Sequence, residues 1–179
     1  GQVVVRAEAH RDVLFIGRLK HEKGPDLAAA AAAKAGVPIK FAGIGPMQAD
    51  LETRWPEARL LGWKSHGQIA ELSSSSRMLV MPSRWAEPYG MVAGEALWSG
   101  LPVIASRKAY LANEIAEAGA GLSVDTDDVD AFASAIRAIA SDDALAQSMS
   151  ERAYGATRHL GNTLADWEQK HATFYESLL

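Results

Sequence analysis

Two carboxylates, a glycine and two cations are the residues of this chain whose types and spacing could do chemistry. Glu87 and Glu95 stand in the stretch Pro82 to Gly100, PSRWAEPYGMVAGEALWSG. Apolar runs bracket it, Met78-Leu79-Val80-Met81 before and Pro102-Val103-Ile104-Ala105 after, the pattern of a loop and helix between two buried strands. Glu87 falls in the loop just before Pro88, and Glu95 about two turns into the helix that Tyr89-Gly90-Met91 opens. Gly90 has no Cβ and lets a ligand approach the backbone. The amides of Met91 and Val92 belong to a first helical turn, whose N–H groups have no partner within the helix. An anion can dock there, with a carboxylate on each side to take hydroxyl donors. Such a set suits a phosphate joined to sugars.

Arg18 and Lys23 follow the apolar run Val13-Leu14-Phe15-Ile16 and precede a helix start. Two fixed cations together with helix-terminal amides would hold a diphosphate and neutralise the charge that builds on it as it leaves, without a metal. The alternative is two solvated loop cations. Glu95 lies within Val92-Ala93-Gly94-Glu95-Ala96-Leu97, an otherwise apolar stretch where an unpaired charge is costly. It is therefore expected to have partners, either the hydroxyls of a bound ribose or a cation such as Arg18 in a buried internal pair.

Other motifs are weaker. Gly43-Ile44-Gly45-Pro46 lacks the third glycine of a dinucleotide fingerprint and by itself reads as a tight strand-to-helix turn. Trp63 either stacks on a base or plugs the sheet edge, and plugging is the favoured reading. Asp125, Asp127 and Asp128 precede a helix and read as an N-cap with first-turn acids rather than as metal ligands. No GxxxxGK[ST] loop occurs, and Ser83 lacks a GxSxG elbow. The five histidines do not pair at metal-ligand spacing.

The elements that must position these residues follow from periodicity. Strands are predicted at 13–16, 38–42, 59–61, 78–81, 102–105 and 122–124. Helices are predicted from Pro25 to Lys34, at 47–55 and 66–74, from Gly90, around 113–116, and from Asp128 onward, with a last amphipathic helix at about 163–179. Alternating strands and helices make repeated βαβ units, hence an α/β fold with a doubly wound parallel sheet. Ligands of such sheets bind beyond the carboxyl ends of the strands, which would bring Arg18, Lys23, Gly43 to Pro46, Trp63, Ser83 to Gly90 and Ser106 to one rim. The 179 residues suffice for one well-packed domain, and the net charge of −4 argues against a nucleic-acid surface. With no cysteine there is no disulfide or thiolate chemistry. No apolar run approaches the ~20 residues that span a bilayer.

Together the segments FIGRLKHEKG at 15–24, GIGP at 43–46, LGW at 61–63, MPSRWAEPYGMVAGEAL at 81–97 and SGLPVIAS at 99–106 resemble the retaining GT-B glycosyltransferases of family four, in their C-terminal, nucleotide-sugar-binding domain. The resemblance implies a Rossmann-like C-terminal half of a GT-B fold with extra C-terminal helices. It gives Arg18, Lys23 and Glu87 catalytic roles, the cations on the donor diphosphate and Glu87 on donor sugar hydroxyls. Gly17, Gly45, Gly90, Met91 and Val92 would line the donor, Glu95 would contact the ribose, and Trp63 and Lys64 would lie near the base. The donor would be a UDP- or GDP-sugar, with no cofactor and no metal, and the acceptor a glycan, lipid or small molecule.

By the same resemblance, residues 1–12 are a connector from an N-terminal acceptor domain of the same enzyme, 13–160 the Rossmann-like donor-binding domain, and 161–179 a helix that packs back on the missing half. A cytoplasmic location is implied, or the inner face of a membrane reached through that half. The family pattern breaks at Ser106 to Glu114, where a Gly-Gly pair usually stands, so sugar contacts there do not carry over. Related possibilities are a GT-B-like sugar-nucleotide epimerase or sugar-phosphate synthase, or a non-catalytic nucleotide-binding module.

Overall fold

The structure is a computed structural model and describes residues 5–88 and 90–160 together with Gln169, Thr173 and Phe174. Tyr89 and the other residues of the expected last helix lie outside that set. Among the described residues, six strands form one parallel sheet: β1 (Val13–Ile16), β2 (Ile39–Ala42), β3 (Arg59–Leu60), β4 (Met78–Met81), β5 (Val103–Ser106) and β6 (Gly121–Val124), in the order β3-β2-β1-β4-β5-β6. Register is set by pairs such as Phe15 with Phe41, Val13 with Met78, and Val80 with Ile104. Val13, Leu14, Leu79, Val103 and Ile104 are all fully buried, which is why the central strands read as continuous apolar runs rather than alternating ones.

Among the described residues, seven α-helices connect and cover the strands: α1 (Pro25–Ala35), α2 (Gln48–Arg54), α3 (His66–Ser74), α4 (Met91–Ser99), α5 (Ala112–Glu117), α6 (Val129–Ser141) and α7 (Asp143–Ala156). Their starts have local causes. Pro25 opens α1 with its pre-set φ. Ser65 and Gln68 close a reciprocal capping box on α3, and Asp128 and Asp142 accept first-turn amides of α6 and α7. The Asp128 cap agrees with the reading of the acids at 125–128. The alanines of α1 keep its buried face thin where it meets α6, and α4 packs against α3 and α7. No helix among the described residues is long and apolar enough to cross a membrane.

Part of the segment read as a connector is packed into the fold. Val5 and Ala7 are buried, the Val5 amide donates to the Ser99 carbonyl at 2.9 Å, and Ser150 Oγ donates to the Val5 carbonyl at 2.8 Å. Arg77, fully buried at the start of β4, ties this segment down. Its Nε donates to the Ile139 carbonyl at 2.9 Å, and Nη1 donates to the Glu8 carbonyl at 3.0 Å and the Asp143 carboxylate at 2.7 Å. That hydrogen bond holds the Asp143 carboxyl below the usual aspartate range. Removing Arg77 strands the carbonyls it serves. Arg77→Ala should therefore lower unfolding free energy by about 3 kcal/mol in urea melts, and an unchanged midpoint would contradict this account.

Candidate functional site

The strand order reverses between β1 and β4. The chain runs outward from β1 through β2 to β3, returns to β4, and then runs the other way to β6. A crevice opens at such a switch point, beyond the carboxyl ends of the two strands. The loop after β1 brings Gly17, Arg18 and Lys23 to its rim, and the loop after β4 brings Ser83, Glu87 and Gly90. The two loops interlock. Gly24 takes a left-handed φ of +66°, and a Cβ there would lie 2.2 Å from the Pro82 carbonyl oxygen, so only glycine allows this approach.

Lys23 Nζ meets Glu87 Oε2 at 2.5 Å, and Ser83 Oγ donates to the same oxygen at 3.0 Å. Burial alone would raise the Glu87 carboxyl. The hydrogen bonds from Lys23 and Ser83, with the charges of Lys23 and Arg18, outweigh it and hold the group below its ordinary value. Gly90, left-handed at φ +58°, caps α4. Among the described residues no carbonyl or side chain accepts from the Met91 or Val92 amides, so both are available to an anion.

Two cavities meet at this helix start. One, of about 430 Å³, is lined by Arg18, Gly43, Ile44, Trp63, Lys64, His66 and Glu95. The other, of about 360 Å³, is lined by Lys23, Ser83, Glu87, Pro88 and Gly90. They share Ile16, Gly17, Met91 and Val92, so they form one groove with two lobes joined over the first turn of α4.

Most residues singled out in the sequence therefore converge: Gly17, Arg18, Lys23, Trp63, Lys64, Glu87, Gly90, Met91, Val92 and Glu95 all line the groove. Gly45 does not line either lobe. Its missing Cβ is taken up by the backbone of Leu19, 2.4 Å from the carbonyl oxygen, which matches the plain turn reading. Trp63 is 70% exposed, so it does not plug the sheet edge. Glu95 is exposed as well, and no side chain among the described residues pairs with it. The inference that its apolar neighbours bury it fails because α4 turns this position toward the open groove. Gly94 has open space where a Cβ would stand.

The loop at 106–113 is tied to its neighbours. The Tyr110 amide donates to the Glu87 carbonyl at 3.1 Å, and Lys108 pairs with Asp127. Sequence reasoning missed the partners that hold the groove together. Ser83 stands four residues before Glu87 with no motif to announce its bond, and Arg84 meets Asp26 from 58 residues away. Burial opposes ionisation of Asp26, but the Arg84 hydrogen bonds and charge bring its carboxyl below its ordinary value.

Lowered folded-state values mean that Glu87 and Asp26 stabilise the fold when ionised, above their ordinary values of 4.5 and 3.8. The contribution is lost as pH falls through the still lower folded midpoints. Glu87→Gln should therefore be less stable than the parent chain near neutral pH and converge on it as pH drops below 4.5 in urea melts. A stability gap that stays constant with pH would contradict the pairing with Lys23.

Comparison with known proteins agrees with this geometry. The glycosyl transferases group 1 family matches residues 2–156. A glycogen synthase of Mycobacterium tuberculosis is 31% identical over 88% of this chain and 39% of its own length. A D-inositol 3-phosphate glycosyltransferase of Catenulispora acidiphila is 31% identical over 74% of this chain and 36% of its own length. Sucrose-phosphate synthase from Thermosynechococcus elongatus superposes with a TM-score of 0.83 at 26% identity, over 96% of this chain and 46% of that one. Anabaena HepE, solved in complex with UDP, superposes at 0.82 with 19% identity, over 93% and 49%, a likeness of fold. The chain thus spans about two fifths of the length of the curated relatives named here. It belongs to the glycosyl transferases group 1 family, with the Rossmann-like sheet of a GT-B glycosyltransferase domain.

Proposed function

We propose that this chain is the donor-binding domain of a retaining, metal-independent glycosyltransferase that moves a hexose from a UDP- or GDP-sugar to a hydroxyl acceptor. The observation that carries the reading is the two-lobed groove whose lobes join at the α4 start, with Arg18 in one and Lys23 in the other. A diphosphate fits the junction, where the Met91 and Val92 amides and both cations face it. The ribose and base then extend into the lobe with Glu95, Trp63 and Lys64, and the sugar into the lobe with Glu87 and Ser83.

The chemistry follows from that placement. Bond cleavage at the anomeric carbon puts negative charge on the departing diphosphate, and pre-set cations and amides stabilise it without reorganising. An oxygen of the leaving group assists the incoming hydroxyl on the same face, which retains configuration. Lys23 exchanges Glu87 for phosphate oxygens when the donor enters. The freed carboxylate then takes hydroxyl protons of the sugar in hydrogen bonds. Because the chain spans only part of its relatives, acceptor binding is assigned to the remainder of a longer enzyme, and this domain alone transfers sugar poorly or not at all.

Calorimetry with UDP and GDP against uridine and guanosine tests the diphosphate assignment. Arg18→Ala and Lys23→Ala should each weaken the diphosphates about tenfold or more and leave the nucleosides nearly unchanged. Equal losses for both would overturn it. Glu95→Gln should weaken UDP but not its 2′,3′-dideoxy analogue. If both fall together, Glu95 does not contact the ribose.

A further inference from the structure

Lys23 and Glu87 are not the only bridge between the two loops. Arg84 lies between Ser83 and Glu87 in sequence but turns away from the groove, and it lines neither lobe. Its guanidinium forks onto the Asp26 carboxylate, Nη1 to Oδ1 at 2.8 Å and Nη2 to Oδ2 at 2.7 Å. Nη1 also donates to the His21 carbonyl at 2.8 Å, and the Arg84 amide donates to the Glu22 carbonyl at 2.9 Å. Both side chains are largely covered, at 19% and 17% exposure.

We propose that Arg84 and Asp26 form a positioning clamp that fixes the separation between the Lys23 ammonium and the Gly90 to Val92 amides, and with it the diphosphate junction. The inference rests on the donor-binding reading above. Three features carry it. Asp26 sits in the first turn of α1, a rigid element, so the clamp anchors the loop after β4 to a helix rather than to another loop. The contacts fall on His21, Glu22 and Asp26, on both sides of Lys23, so they hold the backbone from which Lys23 projects. The Arg84 charge is matched by Asp26, so the clamp adds geometry to the groove without adding a competing cation. A planar fork is needed for this, since a lysine ammonium is a single point of contact and cannot span both carboxylate oxygens while holding a carbonyl.

The test is the preference for diphosphate over nucleoside, measured by calorimetry with UDP and uridine on the 179-residue chain. Asp26→Asn keeps the shape and Arg84→Lys keeps the charge, which favours folded variants, and their melting temperatures are followed alongside. Each should narrow the preference at least about fivefold while uridine affinity holds, and the double variant should lose no more than the larger single loss. Proportional losses of UDP and uridine mean a merely structural role and overturn the clamp, as do additive losses in the double variant. A parent chain that prefers UDP while both variants keep its full preference overturns the clamp alone. A parent chain with no preference overturns the donor reading and the clamp together.

Discussion

The pairing of β1 with β4 is the constraint on which the rest depends. Their parallel register, Val13 to Met78 and Leu14 to Leu79, places two loops from distant parts of the chain at one edge of the sheet. One carries the cations, and the other carries the acid and leads into the first turn of α4. Neither loop makes a binding surface alone. Every later feature of the groove is a consequence of the switch in strand order between these two neighbours.

Packing and electrostatics then narrow what the switch point can hold. Gly24 lies flush on the Pro82 carbonyl, Arg84 grips Asp26, and Lys23 reaches across to Glu87. Among the described residues, Glu87 is the one acid of the lobe with Ser83 and Gly90, and it is thus matched by a cation. Arg18 stays exposed, without an ion pair among the described residues. Arg18 therefore leaves positive charge beside the first turn of α4. At the opposite end of β4, Arg77 does structural rather than functional duty, fastening the Val5 to His10 segment and the α6–α7 junction to the sheet.

Much of this was legible in the sequence because the relevant signals are local. Buried parallel strands leave continuous apolar runs, and all six fall within a residue or two of the expected bounds. Pro25, Gly36, Gly90 and Asp128 mark helix ends for stereochemical reasons that need no tertiary context. What escaped depends on which way a side chain points. Glu95 sits among apolar neighbours yet faces the groove, because its helical phase relative to the sheet is set by packing of Ala93, Ala96 and Leu97. Trp63 looked like a plug and is open for the same kind of reason. The Arg84–Asp26 fork joins a loop to a helix start 58 residues apart, and no periodicity encodes such a pair.

The central claim is that anion-binding amides at the α4 start and cations from the β1 loop act on one diphosphate. Amide chemical shifts recorded while UDP is titrated into the chain, with uridine as control, test it most directly. The account predicts that Gly17, Gly90, Met91 and Val92 move with UDP and stay nearly still with uridine. UDP-dependent shifts centred on the opposite rim, around Arg11, Gly36 and Arg137, with those four amides unmoved, would contradict it.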